Sequence, residues 1–199
     1  LLLTRASGNV VHSAMRHLLA ARAMADLGRH GESIQRLAQG EAVWSADPKQ
    51  HARMLQEAAM LRAQLQHDQG DGVGAQQTMR ALLARAGYPA AMAAPGLDRL
   101  LRMAARIELR SGDAAGAEVF AADALRLASK NSRTETSSGD VGLAALLRAE
   151  ARAKLGRGAE AEADALRAAE ALRNGVGAEH ADTRRARALL AELQASARR

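Results

Sequence analysis

Apolar residues along this chain fall at helical spacing in nine successive stretches, 9–27, 30–45, 48–68, 73–86, 97–111, 114–130, 140–155, 158–173 and 181–197, and each predicts an α-helix. Gly28, Gly70, Gly112 and Gly156 follow one another at 42, 42 and 44 residues, each in a short turn-like segment: LGRHGES, QGDGVGA, SGDAAGA and LGRGAEA. The flanks keep the same register. Seven residues before each glycine come Ala21, Ala63, Ala105 and Ala149, and five after it come Ser33, Ala75, Ala117 and Ala161. Leu19, Leu61, Met103 and Leu147 stand nine before, and Ala23, Leu65, Ile107 and Ala151 five before, which marks one helix face.

This register predicts a helix, a tight turn at glycine and a second antiparallel helix, with small residues where the two backbones come nearest. One such pair cannot bury its face alone, so pairs must stack into a continuous core. The expected architecture is a single all-α domain over 1–199, with repeats at about 9–45, 48–86, 97–130 and 140–173 and a capping helix at 181–197. Asp47-Pro48 reads as a helix start, with Asp as N-cap and Pro at the first helical position, and Asp182-Thr183 as a similar one. GYPAAMAAPG at 87–96 and SKNSRTETSSGD at 129–140 read as loops between repeats.

Composition sharpens this picture. Hydrophobic residues make up 48% of the chain and aromatics 2%, so the core must be built from Leu, Ala, Met and Val with close helix approach. No apolar run reaches the ~18 residues of a membrane helix, and Leu-Leu-Leu-Thr-Arg at the start is too short for a signal peptide's apolar region. With no Cys, a disulfide framework and thiolate metal sites are excluded, which fits a cytoplasmic protein. Arg outnumbers Lys by 25 to 3, a bias that discounts the formal net charge of +6 as a functional signal. The first residue is not Met, which reads as a fragment of a longer protein.

The segment LLRAEARAKLGRGAEAEADALRAAEAL (146–172) resembles a tetratricopeptide repeat: a small residue, Gly, then E-A-x-x-x-hydrophobic-x-x-A-L. The 42-residue period is similar to the kinesin-light-chain subtype, and GAEHADTRRARALLAEL (177–193) resembles that subtype's Gly-x-x-His-Pro-Asp-Thr entry, with Ala181 in place of the proline. The resemblance covers nearly the whole chain. It implies an α-α superhelix of four helix-turn-helix repeats plus a cap, binding a peptide or partner helix in a concave groove lined by the first helix of each pair. Similar arrays occur at the C-terminal ends of bacterial serine/threonine protein kinases and of some transcriptional regulators, which implies a regulatory or sensory role as an alternative. The usual Trp and Tyr positions are mostly Ala, Leu or Arg here.

Catalytic and cofactor motifs are not found. His12, His17, His30, His51, His67 and His180 form neither H-x-x-x-H nor H-E-x-x-H. Gly70-Asp71-Gly72-Val73-Gly74 lacks a preceding strand and the Lys of a phosphate loop, and its glycine recurs in every repeat. His67, Asp68 and Asp71 have no nucleophile beside them, and carboxylates at such a turn are ordinarily capping or solvated. The expectation is a non-enzymatic chain with no cofactor and no metal.

One constellation stands out. Arg99, Arg102, Arg106 and Arg110 share a stripe within about 80° on one helix, while Leu100, Leu101, Ala104 and Ile107 point to the core. By the resemblance the stripe faces the groove. Equivalent positions elsewhere are Met15, Leu18, Arg22 and Asp26; Glu57, Met60, Gln64 and Asp68; and Leu143, Leu146, Glu150 and Lys154, a groove half apolar and half charged. Arg99, Arg102, Arg106, Arg110, Arg22, Gln64 and Glu150 are the candidate partner-binding residues. Four guanidinium groups can grip carboxylates or phosphates in forked geometry, whereas a solvated arginine-rich face would present the same pattern. A protein or peptide partner, acidic for the first reading, is expected. Nucleic acid is disfavoured because only Trp44, Tyr88 and Phe120 could stack on bases. On this reading, charge reversal at Arg102 and Arg106 removes partner capture without changing helicity or melting.

Overall fold

The computed structural model describes residues 15–198, and in them the chain is all-helical: nine α-helices, one 3₁₀ turn and no strand. The helices are α1 (15–26), α2 (His30–Trp44), α3 (Ala52–Asp68), α4 (Gly72–Arg85), α5 (Leu97–Ser111), α6 (Ala114–Asn131), α7 (Gly139–Lys154), α8 (Gly158–Val176) and α9 (Ala181–Ala197). They fall into two compact units, one ending at Leu82 and the other beginning at Leu83. Expectations for residues 1–14, including helix from residue 9 and His12, lie outside the described residues, as does the expected polar end at Arg199.

The glycine column fixes the turns. Gly28, Gly70, Gly112 and Gly156 all have positive φ, between 73 and 89°. An L side chain is disfavoured in that region, so glycine ends the first helix of each pair. The bonding repeats as well: Arg29, Asp71, Asp113 and Arg157 donate their N–H to carbonyls five residues back, at 2.8, 2.8, 2.9 and 2.9 Å. Each pair then starts its second helix in one of two ways. Asp71 and Asp113 accept the N–H of Gly74 and Gly116 at 2.8 Å, whereas Arg29 and Arg157 fork onto Glu32 and Glu160 three residues on, with Nε–Oε1 distances of 2.7 Å. Asp71 is therefore a cap.

In the first unit, Leu18, Ala21, Leu37, Trp44, Ala58, Leu61 and Leu65 form the core. Ser33 on α2 donates its hydroxyl to the Ala21 carbonyl of α1 at 2.6 Å, and Thr78 on α4 donates to Gln66 on α3 at 2.8 Å. The start of α3 differs from expectation. Residues 45–51 form turns, with Asp47 Oδ1 accepting the Gln50 N–H at 3.1 Å, so Asp47 caps a turn and α3 begins at Ala52. Leu19 and Ala23 also depart from their columns: they are exposed, because the apolar face of α1 turns Leu18 and Ala21 inward instead.

In the second unit each helix packs on the next from α5 to α9, and the first helices α5, α7 and α9 also touch in sequence. This is the stacked-pair arrangement. Ala105, Leu109, Ala117, Ala121, Leu147 and Ala151 form a core with Phe120 against it. The segment 129–140 is only partly irregular: α6 runs to Asn131, the 3₁₀ turn spans Glu135–Ser137, and Ser138 caps α7 by accepting the Val141 N–H at 3.3 Å. At α9 the cap is His180, whose Nδ1 accepts the Asp182 N–H at 3.3 Å, while buried Thr183 donates to the Gly177 carbonyl at 2.8 Å; neither Asp182 nor Thr183 is the N-cap.

α7 and α8 approach closely at Gly142. A Cβ on Gly142 would stand 2.6 Å from Leu172 Cγ and 2.9 Å from its backbone nitrogen. Gly142→Ala should therefore lower unfolding free energy by about 1–3 kcal/mol through overpacking, although helix propensity alone would favour Ala by up to ~1 kcal/mol. Urea denaturation decides the sign; an unchanged or raised midpoint would mean the two helices lie farther apart.

Candidate functional site

The buried face of α5 holds Leu100, Leu101, Ala104 and Ile107, and this leaves the four arginines on its opposite side. Their surroundings differ. Arg102 is clamped: Nη1 meets Asp98 one turn earlier and Nη2 meets Asp140 on α7, both at 2.9 Å, with only 14% of the side chain exposed. Reversing its charge would set a carboxylate against two aspartates, so the expectation of unchanged melting fails for Arg102. Arg106 is half-buried, and its Nε is buried with no hydrogen-bond partner. Arg99 and Arg110 are exposed.

Arg106 and Arg110 open onto a cavity of about 500 Å³ between α5, α7 and α9. Lys154 and Arg185 add two more cations to its wall, and Glu150 is its one lining carboxylate. Leu109, Ala153 and Leu189 make the apolar floor. Arg185 holds Glu150 in a fork, Nε to Oε1 and Nη2 to Oε2, both at 2.6 Å. Burial lowers the Arg106 guanidinium from its ordinary value, and Arg185 and Arg110 push the same way against Asp182 and Glu150. Burial likewise raises the Glu150 carboxyl, an effect opposed by Arg185 and Arg106.

Of the expected residues, Arg106, Arg110 and Glu150 thus converge, Arg102 ties α5 to α7, and Arg99 does not line the cavity. Arg22 and Gln64 belong to α1 and α3 of the first unit, where Arg22 meets Glu57 at 3.5 Å and Gln64 is half-buried. Three of the five apolar positions of the expected groove need correction: Leu18, Met60 and Leu146 are 5, 3 and 1% exposed and belong to the core, whereas Met15 and Leu143 are half-buried. Arg185 was missed because α9 reads as a cap. Its signal was available, since one 42-residue step along the column from Leu143 reaches it. Among the described residues, no three His, Cys, Asp or Glu side chains gather as a metal site would require, and no helix is long and apolar enough to cross a membrane.

Where α6, α7 and α8 meet, arginines and carboxylates pair. Asp164, 4% exposed, accepts Arg148 Nε and Arg152 Nη1 at 2.8 Å; Arg152 Nε meets Glu118 at 2.8 Å, and Arg157 bridges Glu118 and Glu160. These pairs bind α6, α7 and α8 together. The Arg152 hydrogen bond leads in lowering the Glu118 carboxyl, helped by the charges of Arg157 and Arg152 against burial. A second cavity of about 480 Å³ lies between α8 and α9, with Leu166 and Ala169 beside Glu170, Arg173 and Arg187.

No protein-family model and no curated protein matches the chain. Among solved structures it is similar to BtubC (BKLC) from P. vanneervenii, with a TM-score of 0.64 at 16% identity over 96% of this chain and 84% of that one. That protein is of the tetratricopeptide helical type, so the fold of this chain is a tetratricopeptide-like all-helical repeat.

The two glutamates should titrate with opposite signs. A raised folded pKa means the folded state holds the Glu150 proton more tightly, so the wild type should lose stability relative to Glu150→Gln as pH rises from the unfolded value near ~4.3 through the folded one. For Glu118, with its folded pKa depressed, the wild type should lose stability relative to Glu118→Gln as pH falls below ~4.3. Denaturation midpoints across that range check both, and slopes of the same sign would refute the assignment.

Proposed function

We propose that this chain is a protein-interaction scaffold, and that the second unit captures an acidic segment of a partner on the face shared by α5, α7 and α9. The observation that carries this reading is the convergence of Arg106, Arg110, Lys154 and Arg185 over an apolar floor in an open cavity. A bound carboxylate would gain charge-assisted hydrogen bonds there, and its aliphatic stem would cover Leu109 and Leu189. The tetratricopeptide-like fold favours a protein partner in general. The aromatic side chains favour it over nucleic acid: Trp44 is fully buried, and Tyr88 is engaged with Asp123 at 2.8 Å and packs 5.9 Å from Phe120. A role as the regulatory tail of a kinase makes the same demand on this face and differs only in what is tethered to it.

The test is fluorescence anisotropy with a library of short acidic amphipathic peptides and its charge-inverted counterpart. Acidic members should bind, weaken as salt rises, and lose about tenfold or more with Arg110→Glu and Lys154→Glu combined, a change worth ~1.4 kcal/mol. Equal binding of the inverted library, or acidic binding that survives the double variant, would refute the reading.

A further inference from the structure

The cavity between α5, α7 and α9 already holds a carboxylate, and it belongs to the chain itself. Glu150 reaches the wall from α7 with 14% of its side chain exposed, and Arg185 of α9 meets both its oxygens at 2.6 Å. Such a fork is the geometry in which a guanidinium recognises a carboxylate. The Arg185 side chain is 48% exposed, so the fork is open to solvent on one side. The other charged groups that line this cavity or act on the Glu150 carboxyl are Arg106 and Arg110 from α5, Lys154 from α7 and Asp182 from α9.

The hold of Arg185 on Glu150 is a compromise. Burial, with repulsion from Asp182, outweighs the attraction of Arg185 and Arg106 and disfavours the charged carboxylate. Glu118, held by Arg152 and Arg157, shows the opposite balance, because there the arginines outweigh burial. The arrangement also leaves Arg106 unsatisfied. Arg106 and Glu150 share one register position, six residues before Gly112 and Gly156, on neighbouring first helices, yet the Arg106 Nε is buried and makes no hydrogen bond. A buried donor in that state costs free energy that an acceptor in the cavity would recover.

We propose that Glu150 is an internal stand-in for the partner's carboxylate: an acidic side chain of the partner displaces it from the Arg185 fork and lies between Arg185 and Arg106. Glu150 thereby sets the threshold of capture. The exchange replaces one forked ion pair by another, so the partner must offer more than the fork. It offers an oxygen to the Arg106 Nε and an aliphatic stem over Leu109 and Leu189. Acetate, which has no such stem, loses the competition. Released Glu150 has Lys154, one turn further along α7, as an alternative partner. This inference rests on the acidic-segment reading above and specifies which groups the segment meets.

The test uses the full chain, the acidic amphipathic peptide library and acetate as the simplest carboxylate, with NMR of the arginine Nε–H groups alongside anisotropy. Glu150→Gln keeps the shape of the side chain but removes its charge and one of its two acceptor oxygens. It should bind the acidic library about tenfold tighter than the wild type. Acetate should shift the Arg185 resonance in Glu150→Gln at concentrations that leave it unmoved in the wild type. Arg185→Lys keeps the charge and loses the fork, so in that background the gain from Glu150→Gln should fall to about threefold or less. In the wild type, saturation with the tightest library member should move the Arg185 resonance and leave that of Arg126, an exposed arginine of α6, in place. An unmoved Arg185 resonance in the bound wild type would overturn the stand-in and leave the acidic scaffold standing. Weaker binding by Glu150→Gln, or an equal gain with and without the fork, which marks plain charge repulsion, would do the same. An acetate shift of Arg185 in Glu150→Gln with no peptide bound to any variant would support the stand-in and overturn the scaffold. No binding and no acetate shift would overturn both.

Discussion

Close approach of paired helices at small residues is the constraint on which the rest of this structure depends. Ala21, Ala63, Ala105 and Ala149 on the first helices, and Ser33, Ala75, Ala117 and Ala161 on the second, are all 0% exposed. An alanine core gains little from the transfer of any one side chain, since burial is worth only ~25 cal/mol per Å² of apolar surface. Stability must come from many well-fitted contacts between backbones that lie near one another. The left-handed glycine turns serve that geometry by bringing the chain back antiparallel within two or three residues.

The same stacking decides where charge accumulates in the second unit. Because α5, α7 and α9 lie side by side, arginines on α5 meet acidic and basic groups of α7 and α9 that are distant in sequence. Arg102 becomes a strut to Asp140, Arg185 becomes the partner of Glu150, and the remaining cations open onto the cavity. On the side where α6, α7 and α8 meet, the arginines are matched by Asp164, Glu118 and Glu160. One residue type thus holds helices together on one side and lines an open cavity on the other.

Much of the fold was legible because it is periodic. The glycine column, the eight small residues and the helix pairs all follow from spacing, and seven of the nine expected helices, α2 and α4 to α9, start and end within three residues of those observed. The exceptions are places where local chemistry competes with periodicity. Asp47 satisfies Gln50 in a turn of its own and delays α3, and Leu19 keeps its register position while the burial of α1 rotates to Leu18. The candidate site was legible only in part. A helical stripe shows which arginines share a face, but not that Arg102 would find Asp140 or that Arg185 would close the wall on Glu150, because those partners lie on other helices, 38 and 35 residues away.

The register of small residues is tested most directly by urea unfolding of Ala149→Leu beside Ala163→Leu. Ala149 is fully buried on α7, and Ala163 is exposed on α8. The account predicts that Ala149→Leu loses about 1–3 kcal/mol or more by forcing α7 from its neighbours, while Ala163→Leu stays within ~0.5 kcal/mol of the wild type. Equal midpoints for the two variants, or a gain for Ala149→Leu, would contradict it.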